Sequence, residues 1–180
     1  MMKYISLLRG INVGGHKKIL MKDLKELYES LSFENVKTFI QSGNVIFETS
    51  EELEDSIVKI EKAISHKYGF EVPVQIREVH DFEHIIKTCP FTKLDLAEGT
   101  RVMITFLDAL PTQENIEELT TYVHEPEMLE VVGREVYLYC PDGYGKTKLN
   151  NNFLEKKLKV AATTRDWKSV MRINILAMMK

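Results

Sequence analysis

The chain is short of the residues that staple, anchor or export a protein. Its 180 residues contain two cysteines, Cys89 and Cys140, in no metal or redox spacing. A disulfide framework is therefore excluded, and both read as reduced thiols of a cytosolic, cytoplasmic protein. No apolar run approaches the roughly 18 residues needed to cross a bilayer, which excludes a membrane-spanning helix. The opening MMKYISLLRG lacks the apolar length and the small-residue cleavage site of a signal peptide, and it reads as a strand. No Ser/His/Asp or Cys/His set stands at a diagnostic spacing, and Cys89 has no activating neighbours beside Pro90.

What is present suits a folded globular protein. Hydrophobic residues make up 44% and charged residues 28%. The length allows one large domain or two small ones with a real core. The net charge of −3 hides an asymmetry. Residues 146–180 hold nine Lys/Arg against Glu155 and Asp166, so this end carries +7 and the remainder −10. A basic end on an acidic body either steers an anion to one face or forms a solvated helix surface.

The pattern along the chain is strand, helix, strand, strand, helix, strand, and then the same order again. KYISLLR (3–9) is apolar and β-prone, and GINVGG breaks it. Met21, Leu24, Leu27, Tyr28 and Leu31 fall at helical spacing. VKTFIQ (36–41) and NVIFET (44–49) flank Ser42-Gly43 as a hairpin. A helix over about 51–67 buries Leu53, Ile57, Ile60 and Ile64, with Ser50 as N-cap and Gly69 as its end. VPVQIREV (72–79) is a strand, followed by a short helix over about 80–88. In the second half TRVMITFL (100–107), MLEVV (128–132), EVYLYC (135–140) and VAAT (160–163) are strands. Gln113–Tyr122, Asn151–Leu158 and residues 165–178 are helices, and residues 88–99 form the connection. This predicts an α+β protein of two ferredoxin-like (split βαβ) modules in tandem, 1–90 and 98–180, plus a C-terminal helix. The strand order expected across each sheet is 4-1-3-2. It brings residues 10–18 to 41–44 in one half and 141–148 to 162–167 in the other.

LLRGINVGGHKK (7–18), FIQSGNVIF (39–47), PDGYGKTKL (141–149) and VAATTRDWKSV (160–170) together resemble a bacterial family known as domain of unknown function family 1697. The similarity runs over nearly the whole chain in the same order. It departs at Asp166 and Ser169, where the family pattern has Asn and Thr. The resemblance implies motif boundaries and a fold, and it brings no activity with it.

Several motifs fail on inspection. Gly10 to Gly15 has the spacing of a nucleotide phosphate loop, but His16 and Lys17 stand where Lys and Ser/Thr belong. CPDGYGKT (140–147) ends correctly and has Cys140 in the first glycine position. ATP hydrolysis is excluded on these grounds. HDFEH (80–84) matches an inverted zinc-peptidase pattern, but its helix is short and no third ligand is evident, so no metal is expected. Tyr137 and Tyr139 alternate onto one strand face, yet the RNA-recognition signature is missing. Trp167 reads as a core residue.

Two polar groups remain as candidate ligand sites. The first is Arg9, Asn12, Gly14, Gly15 and Lys18, with Gln41, Ser42 and Asn44 of the hairpin beside it. The second is Lys146, Lys148, Thr164 and Arg165, with Arg165 in the first turn of the last helix, where a cation opposes the helix dipole. Thr163 with Asp166 resembles a capping box there. The plain alternative is a set of turns that need positive φ. The expected function is binding of a phosphate-bearing ligand, nucleotide or nucleic acid. Its rivals are an enzyme acting on a small anionic metabolite and a protein-interaction module. No catalytic residue and no cofactor are assigned, no membrane partner is expected, and the oligomeric state is open.

Overall fold

The computed structural model describes residues 1–94 and 101–179. The elements run β1 (Met2–Leu8), α1 (Met21–Ser30), β2 (Glu34–Phe39), β3 (Asn44–Thr49), α2 (Leu53–Tyr68), β4 (Val74–Glu78) and α3 (Val79–Lys87). They continue with β5 (Arg101–Leu107), α4 (Gln113–Thr120), β6 (Met128–Val132), β7 (Glu135–Cys140), α5 (Asn151–Leu158), β8 (Ala162–Asp166) and α6 (Trp167–Met178). Thr100 at the head of the expected fifth strand, residues 95–99 of the expected connection and the terminal Lys180 lie outside the described residues. Among the described residues no helix is long and apolar enough to cross a membrane.

Two four-stranded antiparallel sheets result, ordered β2-β3-β1-β4 and β6-β7-β5-β8. Each has the 4-1-3-2 order of a ferredoxin-like module. The chain divides into two compact units, Met1–His84 with the chain from Ile173, and Ile85–Arg172.

Strand alternation builds each core. In the first unit Tyr4, Leu8, Val45, Phe47, Val74 and Ile76 share a sheet face with Leu24, Leu27 and Tyr28 of α1 and Ile60 and Ile64 of α2. Ser6 lies on that face among apolar neighbours, and its hydroxyl is 2.8 Å from the buried Tyr28 hydroxyl, which satisfies both. In the second unit Met103, Leu107, Val136, Leu138 and Cys140 meet Leu119 of α4 and Leu154 and Leu158 of α5.

The units repeat in detail. The N–H after the β1 core residues, Leu8 N, donates to Gly43 O at 2.8 Å, and Leu107 N donates to Arg134 O at 2.8 Å. One residue on, Arg9 N donates to Pro73 O and Asp108 N to Ala161 O. Arg77 on β4 faces Ile5, and Arg165 on β8 faces Ile104, at equivalent registers.

Among the boundaries that differ from the expectation, three bear on the candidate sites or the caps. β2 ends at Phe39, because Ile40 has φ +51° and leaves the extended region. The second helix starts at Leu53 behind Glu52, with no side-chain cap, so Ser50 is not its N-cap. Thr163, Thr164 and Arg165 belong to β8, and the last helix starts only at Trp167. Its cap is Asp166 alone, whose carboxylate accepts from the Ser169 N–H at 3.0 Å and hydroxyl at 2.7 Å.

Candidate functional site

The glycine-rich segment leaves β1 as a small closed hairpin. Val13 and His16 bridge antiparallel, the His16 N–H donates to Val13 O at 3.0 Å, and Gly14 and Gly15 between them have φ +57° and +78°. Positive φ at both central residues is the two-residue turn that glycine favours. Helix α1 begins only at Met21, so these glycine amides are not at a helix start and the phosphate-loop context fails.

Asn12 closes the root of this hairpin. Its Nδ2 donates to Ile19 O at 2.9 Å and to Gln41 O at 2.8 Å, and its Oδ1 accepts from the Ile19 N–H at 2.9 Å. Both amide protons are thus spent within the protein, at φ +55°. The sheet-order expectation holds here, since residue 12 and residue 41 meet directly. Gly43 seals the same corner. A Cβ there would lie 2.6 Å from Ile11 Cδ1 and 2.9 Å from Leu8 Cβ. Asn44 is buried, and its Nδ2 donates to Phe39 O at 2.9 Å and Ser42 Oγ at 3.1 Å.

Around this fastened root the tip is open. Val13, Gly14, Gly15, His16 and Lys18 are exposed, as is Gln41. Arg9 is half-buried. Lys17, which the candidate group left out, donates from Nζ to Glu71 O at 2.6 Å and ties the hairpin to the loop that follows α2.

In the second unit Thr164 points towards α5. Its hydroxyl is 2.7 Å from the Thr105 hydroxyl and donates to Asn151 Oδ1 at 2.8 Å. The Asn151 N–H donates to the Tyr144 hydroxyl at 2.8 Å, and its Nδ2 to Ala162 O at 3.0 Å. Through Tyr144 and Asn151, the 141–148 turn does meet β8. Arg165 projects from the opposite face of β8, because neighbouring strand residues alternate. It is buried, and its Nη1 donates back to Thr164 O at 3.0 Å. Burial pulls its pKa down to about 10, opposed by the Asp166 charge. The second group is therefore not one cluster. Thr164 is committed to a polar network, Arg165 lies behind the strand, and Lys146 and Lys148 are exposed on the turn.

Arg77 was missed by sequence reasoning. It is buried like Arg165, and its Nη1 donates to Ile76 O at 3.0 Å. The signal was there: Arg77-Glu78-Val79 and Arg165-Asp166-Trp167 are both arginine, acid and apolar residue at a strand end before a helix. Tyr137 does not offer a stacking face, since it is buried with its hydroxyl donating to Ile85 O at 2.7 Å. Trp167 is half-buried. His80 is exposed beside Asp81, and among the described residues no group of three or more His, Cys, Asp or Glu could hold a metal. Two shallow surface depressions, one around Asn152, Glu155 and Lys159 and one around Val58, Glu61 and His66, include no member of either polar group.

The family model described as protein of unknown function (DUF1697) matches residues 1–137. The chain belongs to this family. The match takes in the glycine hairpin, the 39–47 hairpin and strands β1 to β6. Among solved structures the chain is similar to the conserved bacterial protein SP0830 from Streptococcus pneumoniae, with a TM-score of 0.79, 24% identity and 98% of each chain covered. That likeness is one of fold. No curated protein matches the chain.

Proposed function

We propose that this family member is a binding protein for a phosphate-bearing ligand, a nucleotide or a nucleic acid, engaged chiefly at the glycine hairpin. The observation that carries the reading is the contrast between root and tip. Asn12 and Gly43 make the root rigid, while the tip carries exposed His16 and Lys18. From Arg9 to Lys22 there is no acidic residue, although Arg9, His16, Lys17, Lys18 and Lys22 all fall within it. A cation-rich segment with no acidic residue of its own favours an anion, and holding its backbone fixed at the root lowers the ordering cost of binding. Lys146 and Lys148 add a second exposed cationic turn in the other unit. Gly14 and Gly15 contribute shape, Gln41 an exposed amide at the same corner, and Arg9 charge near the root. Asn12, Ser42, Asn44, Thr164 and Arg165 serve the reading as scaffold.

Titration calorimetry with nucleotides and with a short oligonucleotide at low salt tests this. Lys18→Glu is expected to weaken binding about tenfold, and Lys146→Glu with Lys148→Glu to weaken it less. Equal affinities for all three proteins would refute the assignment.

A further inference from the structure

The same corner carries three exposed apolar residues, two of which break a local rule. Leu20 occupies the N-cap of α1, where Ser, Thr, Asp or Asn is preferred, and it makes no cap bond. Ile40 is a β-branched residue at φ +51°, a conformation such side chains rarely adopt. Val13 leads into the glycine turn with its side chain in water. All three are large and apolar, and they are 66%, 43% and 65% exposed respectively. Each is the chain neighbour of a residue in the Asn12 knot, namely Ile19, Gln41 and Asn12 itself. A rigid knot therefore carries three apolar side chains that folding does not bury, two of them against local propensity. Breaks in local consistency of this kind collect where function demands them.

Resting on the phosphate-ligand reading, we infer that the ligand is a single-stranded nucleic acid, whose phosphates meet the hairpin cations and whose base faces pack on Val13, Leu20 and Ile40. Val13, Gly14, Gly15, His16 and Lys18 are all exposed, and a ligand that extends along them gains contacts a mononucleotide is too short to reach. A duplex hides its base faces and offers the apolar trio no partner. A single strand exposes both phosphates and base faces. The acid-free run from Arg9 to Lys22 is complementary to its charge.

The test variant combines Val13→Thr, Leu20→Ser and Ile40→Asn. It conserves shape at the first site, supplies a cap at the second and relieves the left-handed strain at the third, so it is expected to fold at least as well as the parent. Fluorescence anisotropy is measured with an unstructured oligonucleotide, its duplex, an abasic strand of equal charge and poly-glutamate as competitor. The variant is expected to lose about tenfold in affinity for the base-bearing strand. Its salt dependence and its affinity for the abasic strand are expected to be unchanged. Equal binding by variant and parent, or duplex and abasic strand bound as tightly as the single strand, overturns the inference and leaves the phosphate reading standing. Efficient displacement by poly-glutamate overturns it in favour of an acidic polypeptide. A parent protein that binds no strand but binds a nucleotide in calorimetry overturns the inference alone, and one that binds neither removes both.

Discussion

Asn12 holds the glycine hairpin from within, and it does so with every polar atom of its side chain. Its removal by Asn12→Ala leaves Ile19 O, Gln41 O and the Ile19 N–H without that partner. A loss of about 2–3 kcal/mol is expected in urea unfolding, with faster amide exchange at Ile19. Gly43 and Gly10 separate two costs that glycine substitutions usually mix. Both have positive φ, but a Cβ at Gly10 meets nothing within 4 Å, whereas at Gly43 it strikes Leu8 Cβ at 2.9 Å. Gly10→Ala is expected to cost about 1–2 kcal/mol from backbone conformation alone. Gly43→Ala is expected to cost clearly more, because Ile11 and the β1 backbone must also move. Equal midpoints for the two variants would contradict the packing account.

Helix α1 starts on Leu20 without a cap bond, whereas α6 starts on Asp166 with two. Leu20→Ser is therefore expected to stabilise by about 0.5–1 kcal/mol, and Asp166→Ala to destabilise by about 1 kcal/mol, in thermal unfolding. The same elements show what the sequence made legible. β3, β6, β7 and α5 fall where alternation, a glycine turn or an asparagine cap marks their ends. β2 was read two residues too far along the chain, because Ile40 has strand propensity and its left-handed backbone leaves no trace in residue type. The last helix was begun too early, because Thr163 and Asp166 mimic a capping box while Thr163–Arg165 pair with β5. That shift moved Arg165 from a helix turn to a buried strand position and dissolved half of the second candidate site. The meeting of residues 12 and 41 was legible because sheet order brings those two loops together. That Asn12 is a fastener rather than a ligand group is a matter of hydrogen-bond geometry, which no spacing encodes.

The whole molecule repeats one design twice, down to the buried Arg77 and Arg165 at matching registers. Burial also sets how it responds to alkali. It raises the Cys140 thiol from 9.0 to about 11, with the Glu127 charge adding to the effect, and the Tyr137 hydroxyl from 10.0 to about 12. Raised pKa values favour the folded state while the proton is kept. Their contribution is complete below pH about 9 and is lost as pH rises towards 12, since only the unfolded chain ionises in between. The urea midpoint is expected to be lower at pH 10.5 than at pH 8, and the thiols are expected to resist Ellman's reagent at pH 8 until the protein unfolds. For function, the most direct measurement is the affinity for a labelled single-stranded oligonucleotide across a series of salt concentrations. The logarithm of the association constant is expected to fall linearly with the logarithm of salt, and less steeply for Lys18→Glu. An affinity indifferent to salt, or a slope unaltered by that charge reversal, would contradict phosphate recognition at the hairpin.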